Sequence, residues 1–501
     1  MTGPPPAPSE TGAVIRAIWS RRGWLAASLL VVLSCAAWTW ISFRFRYGEG
    51  HADRPILTFV LLYACAWAGF FLGYLQLRRG DRQAPLLLIV ATALVARVLL
   101  LSSGLIQEND VYRYVLDGQV LLAGENPYEQ SPLELSLLPP EPVERALSDP
   151  AAEQVISRIG YAEIPTLYPP AAQAAFAAGG LISGWNWIGL RVLFTLFDLA
   201  LMGLIVLLLT RIGSSPSRVL LYAWNPLVLK EVTNSVHVDV LPAFFVVLLM
   251  VSLERTRPHG GWRWLLVAAG SMAAGVLSKL YPILLLPAAV RFISLVSGGK
   301  RAVTFAAASL AGIVLGYVPF LSLDLDRLTE GLRSYAERWR MNQGAFDLLE
   351  VLLPQPRLAC GILILAVAVA VPWVRLRSRG SPAELIGACH WVLLLWFLLL
   401  PAPFPWYAVV LAALLPAAPR FALTAPAVVA LSGAAGLYYL SFYYEYQRFP
   451  EAWWTWTRLA EHGLIWGTLG FTWLQSRRRG DFQSPSRRGT GSPPQKGGLS
   501  W

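Results

Sequence analysis

Charge is scarce in this 501-residue sequence: Asp, Glu, Lys and Arg together make up 14% of it, where an ordinary soluble chain carries about 25%. That is too little polar surface to cover a globule of this length, which excludes a cytosolic enzyme, a secreted domain and a nucleic-acid binder. Cysteine is scarce too. Cys35, Cys65, Cys360 and Cys389 all lie inside apolar runs, which excludes a disulfide framework and a spaced metal cluster. What is abundant is apolar: hydrophobic residues reach 55%, with 21 tryptophans. The composition predicts an all-α polytopic membrane protein.

A 20-residue hydropathy window predicts about 14 spans, near 24–43, 56–77, 84–106, 187–210, 219–230, 238–254, 264–279, 281–297, 302–321, 357–375, 383–400, 406–419, 422–441 and 459–475. Residues 219–230 and 281–297 are short enough to be broken or half-spans. The first run is too long for a signal-peptide core and reads as an uncleaved span. The net charge of +11 is unevenly placed. With the N-terminus in the cytoplasm, every short basic loop falls on that side, from Arg21 and Arg22 through Arg78 and Arg79 to Arg477 and Arg478. Only Glu10, Asp81, Glu254, Glu384 and Asp481 join them there. Both termini are therefore expected to be cytoplasmic.

The expected organisation is a disordered cytoplasmic lead (1–22), three spans (23–106), a long outer loop (107–186), the remaining spans (187–476) with outer loops 322–356 and 442–458, and a disordered basic tail (477–501). The polar content thus gathers in outer loops, where chemistry is expected.

The first outer loop opens Gln107-Glu108-Asn109-Asp110-Val111-Tyr112-Arg113-Tyr114. Val111, Tyr114, Val115, Leu121 and Leu122 recur at helical spacing, predicting an amphipathic helix on the membrane surface. Asn109 or Asp110 suits an N-cap. Alternatively, an acid at the mouth of the bundle suits a general base, its pKa raised by burial. Glu108 and Asp110 also suit a divalent cation held through oxygen ligands, and spacing does not choose among these. Tyr168-Pro169-Pro170 opens about 15 apolar residues, too few to span and expected to lie at the outer interface.

Arg97 and Asp198 lie deep in two spans, roughly 14 and 16 Å from the outer ends at 1.5 Å per residue. Similar depths predict an ion pair, with Arg191, on the same helix face as Asp198, as the other candidate partner or a phosphate ligand. His237 and Asp239 lie at an outer turn, where a capping role and a substrate contact are both open. The tryptophans 453, 454 and 456 read as an interfacial belt.

The run Glu108-Asn109-Asp110-Val111-Tyr112-Arg113-Tyr114, with Asp117-Gly118 and Asn126-Pro127-Tyr128, resembles the first outer loop of the GT-C superfamily of membrane glycosyltransferases. The likeness is to bacterial polyprenol-phosphate-mannose-dependent mannosyltransferases and the related glycosyltransferase 87 group. It continues through Tyr168-Pro169-Pro170, Asn225-Pro226-Leu227 with His237 and Asp239, Lys279 with Pro282 and Pro287, Trp339 with Asn342, and Pro405-Trp406-Tyr407. Phe404 departs from it, standing where the likeness expects His.

The resemblance implies inverting transfer of a sugar, mannose or a similar hexose, from a polyprenyl-phosphate donor to a glycan, lipid or protein acceptor on the extracytoplasmic face of a bacterial inner membrane. Asp110 is the expected base, with Glu108 second. Arg113, Tyr168, His237, Asp239, Lys279, Arg338, Trp339, Arg340, Asn342, Trp406 and Tyr407 are the expected substrate contacts. No soluble α/β domain is present to hold a nucleotide sugar. The competing reading is a transporter or glycolipid flippase, which would be expected to show two related halves; no internal repeat stands out.

Overall fold

The computed structural model describes residues 10–45, 51–79, 84–256, 261–321, 324–376, 380–418 and 423–478. The expected N-terminal lead to residue 9 and the tail beyond 478 lie outside them. Among the described residues every regular element is a helix. Large apolar side chains stand open on the outside, among them Leu61, Leu87, Val303 and Trp373, as lipid-facing surface requires. The chain is an all-α polytopic membrane protein.

Among the described residues seven helices are long and apolar enough to cross a membrane, where about 14 spans were expected, and three further apolar helices are shorter. The chain begins with α1 (Glu10–Ser42), α2 (Ile56–Arg79) and α3 (Leu86–Leu101). The first outer loop then folds into α4 (Asp110–Leu122), three short helices α5 (Pro132–Leu137), α6 (Glu141–Leu147) and α7 (Pro150–Ile156), and α8 (Pro170–Ser183). Helices α4 and α8 pack so closely that a Cβ on Gly118 would come 2.5 Å from the carbonyl oxygen of Phe176. Only glycine fits there. Next comes α9 (Ile188–Arg211).

The stretch expected as a span at 219–230 is broken. It holds α10 (Leu220–Ala223), α11 (Pro226–Val228) and a π turn over Leu229–Asn234. The cause is local: Asn225 accepts a hydrogen bond from the Leu227 amide at 3.1 Å and Pro226 cannot continue the preceding turn. Such backbone is tolerated at this depth only when buried in protein, and residues 225–243 are all buried.

Beyond it lie α12 (Val240–Arg255), α13 (Trp262–Ser278), α14 (Leu286–Ser297), α15 (Gly299–Tyr317), α16 (Leu325–Arg338), α17 (Ala345–Leu352), α18 (Pro356–Arg375) and α19 (Pro382–Leu399). The chain closes with α20 (Val409–Leu414), α21 (Thr424–Ala434), α22 (Leu440–Tyr446) and α23 (Glu451–Arg478). The 322–356 region thus carries two helices. The segment at 442–458 ends α22 and begins the 28-residue α23, which no proline interrupts.

Candidate functional site

The site is built where the loop after α3 meets the π turn. Asn234 clamps the two, its amide nitrogen donating to Ser103 Oγ (2.9 Å) and the Gly104 carbonyl (2.8 Å) while its oxygen accepts from the Ile106 amide. Arg191 reinforces the joint by donating to the carbonyls of Ser103, Leu101 (3.3 Å) and Asn234 (2.7 Å). Its guanidinium thus goes to backbone carbonyls, and Asp198 is paired with Arg97 instead. Two non-glycine residues flank the joint in left-handed backbone, Gln107 (φ 49°) and Val236 (φ 62°). For the β-branched Val236 this is strained, and it turns His237 back toward Glu231, whose carbonyl accepts the His237 amide at 3.0 Å.

That geometry brings Glu108 to His237. Glu108 Oε2 lies 2.8 Å from His237 Nε2, and the other carboxylate oxygen accepts from the amides of Asn109 (2.8 Å) and Asp110 (2.6 Å). Glu108 therefore covers the amino end of α4, and neither Asn109 nor Asp110 uses its side chain as a cap. This leaves the Asp110 carboxylate without a hydrogen bond or ion pair to a described residue. Burial, aided by the neighbouring Glu108 charge, raises Asp110 to about 6, with His237 and Lys279 opposing. Burial also raises Glu108 to about 7, against the pull of Lys230 and the two amides.

The other expected residues divide into those that join this cluster and those that do not. Lys279 donates to both oxygens of Asp239 at 2.7 Å and lies 4.1 Å over the Tyr407 ring. Asp239 begins α12 but makes no cap; its carboxylate is spent on Lys279. His237 stacks on Trp406 with centroids 4.0 Å apart, and Phe404 stacks on the same indole at 4.5 Å. Tyr168 packs edge-on against Tyr114.

Arg113 is engaged along its own helix with Asp117 (2.8 Å), which Thr166 and Gln173 also hold. Arg340 pairs with Glu350 at 2.6 Å and Arg338 is exposed. Trp339 rests against Tyr161. Asn342 is fully buried, its amide donating to Glu461 and its carbonyl contacted by His462. These last residues anchor the loop between α16 and α17 to α23.

Several polar residues were not foreseen. Lys230 and Glu231 sit fully buried in the π turn, Lys230 bonded to Ser235 and Glu231 accepting from Tyr439 at 2.6 Å. Glu231 also approaches His237 at 3.4 Å. They stand at the end of an apolar run, which masked them; their adjacency as a Lys-Glu pair was the available signal. Tyr335 of α16 reaches Tyr407, hydroxyl to hydroxyl at 2.7 Å.

Oxygen and nitrogen atoms of Glu108, Asp110 and His237 lie within 4.8 Å of one another. Two carboxylates and one imidazole fit a divalent transition-metal ion of the manganese, iron or zinc kind better than magnesium, which takes oxygen ligands. A separate cavity of about 460 Å³ borders Glu108 on another side.

No protein-family model matches the sequence, and no curated protein does. Among solved structures, the crystal structure of ArnT from Cupriavidus metallidurans bound to undecaprenyl phosphate is similar at a TM-score of 0.42 and 13% identity, over 77% of this chain and 74% of that one.

Proposed function

We propose that this chain is a membrane glycosyltransferase of the GT-C type. It moves a sugar, mannose or a similar hexose, from a polyprenyl-phosphate donor to an acceptor on the extracytoplasmic face of a bacterial inner membrane, with both termini cytoplasmic. The observation that carries the reading is the Asp110 carboxylate: half-buried, raised to about 6, and left unengaged because Glu108 takes over the helix end. A carboxylate kept ready in that state is what general-base catalysis near neutral pH needs.

In the proposed reaction the acceptor hydroxyl gives its proton to Asp110 as its oxygen bonds to the anomeric carbon. The anomeric carbon–oxygen bond to the donor breaks on the opposite face, and the electron pair leaves with the polyprenyl phosphate. Lys279 supports the charge that develops on that phosphate, with Tyr407 and Tyr335 holding its surroundings and the exposed Arg338 able to approach. Trp406 fixes the plane of His237. Tyr168 packs against Tyr114 on the α8 side, and Arg113 stiffens α4 beneath Asp110. A divalent cation, if bound by Glu108, Asp110 and His237, would supply Lewis-acid stabilisation of phosphate charge.

The test is sugar transfer from radiolabelled polyprenyl-phosphate donors in membranes containing the full chain. Asp110→Asn is expected to lower transfer by about 10²–10⁴-fold while the protein remains folded. Loss on chelation would assign Asp110 to metal binding instead. Absence of transfer from every lipid-linked sugar, with intact protein, would overturn the reading in favour of a transporter.

A further inference from the structure

Where α16 ends, three aromatic rings meet. Two of them, Trp339 and Tyr161, have no part in the reaction proposed above. The Trp339 ring lies 4.5 Å from the Tyr161 ring and 5.3 Å from the Tyr335 ring. Tyr161 is 62% exposed. Its backbone is left-handed, at φ 55°, a conformation uncommon for a bulky residue. The loop between α7 and α8 fixes it there. The Ile164 amide donates to the Tyr161 carbonyl at 3.1 Å, and the Leu133 amide donates to the Ala162 carbonyl at 2.8 Å. Strained backbone of this kind clusters at functional sites.

Close approaches tie the rings to the reacting groups. At Gly331, α16 lies so near this loop that a Cβ would come 2.5 Å from the carbonyl oxygens of Pro165 and Thr166. At Gly160, next to Tyr161, a Cβ would come 3.1 Å from the side-chain nitrogen of Asn109, the residue before Asp110. On the other side, the Tyr335 and Tyr407 hydroxyls are 2.7 Å apart, and Lys279 lies over the Tyr407 ring. One end of the patch therefore adjoins the base and the other adjoins the cation. The Asn109 side chain makes no hydrogen bond to a described residue, which leaves its amide open to a ligand.

The neighbours decide what the rings face. Glu163, two residues after Tyr161, is exposed, and so are Glu337 and Arg338 before Trp339 and Arg340 after it. Charges in such number are not laid against lipid tails, so the patch faces water. An exposed apolar patch with a polar rim marks a binding surface. The ligand that fits flat rings in water is a sugar. Its C–H face packs on the electron-rich face of an aromatic ring, and its hydroxyls pair with an amide such as that of Asn109.

Resting on the glycosyltransferase reading, we propose that Tyr161, Trp339 and Tyr335 form the acceptor subsite, and that the acceptor is a saccharide chain. Its terminal sugar stacks on the rings, Asn109 bonds one hydroxyl, and a second hydroxyl reaches Asp110. Among glycan, lipid and protein acceptors, the glycan is the one that brings a sugar face to these rings.

The test measures binding apart from turnover. Fluorescent tetrasaccharides of mannose, glucose, galactose or N-acetylglucosamine are titrated with the purified full chain in neutral detergent, read by anisotropy. Saturable binding of one or more is expected. Trp339→Ala and Tyr161→Ala should each weaken it about threefold to tenfold, the size of one aromatic stacking contact. Trp339→Tyr and Tyr161→Phe should stay within about twofold of wild type. Trp339→Leu should fall with the alanine variant, being apolar without a flat face. Tyr161→Gly removes the ring where the backbone favours glycine, so the chain stays folded and the loss reads the ring alone.

Absence of saturable binding by every one of these sugars overturns the proposal. Equal binding by wild type and Tyr161→Gly/Trp339→Ala does the same, and wild-type binding by Trp339→Leu overturns stacking as the mode. With a tetrasaccharide as acceptor in the transfer assay, the double variant should raise the acceptor KM about tenfold or more and leave the donor KM within about twofold. A rise in donor KM alone would move the rings to the donor sugar and overturn the acceptor assignment. If the tetrasaccharides bind as expected but no sugar is transferred from any lipid-linked donor, the glycosyltransferase reading fails and the saccharide site stands.

Discussion

Two of the buried charge clusters among the described residues are finished to different degrees. Deep among the spans, Arg97 bonds Asp198 through Nε and again through Nη2 (3.2 Å), and its other nitrogen donates to the Ala223 and Ala93 carbonyls. Tyr222 donates to the same Asp198 at 2.6 Å. Each charged nitrogen and oxygen there has a partner. At the outer joint, Lys279 and Asp239 are paired and Glu108 is held by two backbone amides, but Asp110 has no hydrogen bond or ion pair to a described residue. Buried charge that is fully bonded holds helices together. Buried charge with capacity left over is available to a substrate, and the cost of keeping it there has to be met by the surrounding fold.

The sharpest way to break the comparison is to leave each set half-built. Arg97→Met strands Asp198 and should destabilise the chain by about 3–5 kcal/mol, the usual cost of orphaning a buried charge. Arg97→Met/Asp198→Leu should recover much of the loss, because a well-packed apolar pair can replace an ion pair. Thermal unfolding of the full chain in detergent reads both. Equal destabilisation by the single and double variants would mean that the pair does more than join α3 to α9.

A second test uses the outer acids' own titration. In chelator-treated protein, Glu108 at about 7 and Asp110 at about 6 both lie above their ordinary values. The folded state therefore holds their protons more tightly than the unfolded state does. Their contribution to stability is full below about pH 4 and is lost as pH rises through about 7. The unfolding temperature should fall by several degrees between pH 5 and pH 8. Asp110→Asn and Glu108→Gln should each flatten part of that slope. A temperature that rises with pH over this window would place the acids in an environment that favours their charge.

The two sets also differ in how far they could be read from sequence. Arg97 and Asp198 pair as the depth count predicts, because both sit on regular helices whose rise is fixed. The α4 helix and the acids at its start were legible for the same reason. Lys230 and Glu231 were not, since the hydropathy window treated 219–230 as one span and a π turn has no periodic signature. The bonds from Arg191 to backbone carbonyls left no trace either, because every residue carries a carbonyl. The meeting of Arg54 with Gln107 and Tyr446 depends on α22 returning beside the α1–α2 turn, a long-range fact that no local pattern encodes. Regular helices made the saturated pair readable; broken backbone and backbone acceptors hid much of the outer joint.

The gentlest test concerns the edge of the outer set. Tyr335 is the point where α16 touches the site, through the Tyr407 hydroxyl, and the Tyr407 ring lies under Lys279. Tyr335→Phe deletes one hydroxyl and preserves the ring that packs near Trp339. The loss of one neutral hydrogen bond is worth about 0.5–1.5 kcal/mol. Because the contact orients Tyr407 and not the reacting atoms, the effect should fall on donor KM, raising it about threefold with kcat nearly constant. Tyr407→Phe should do the same, and the double variant little more, since both remove one bond. A fall in kcat with KM unchanged would move Tyr335 from positioning to chemistry, and the outer set would then extend onto α16.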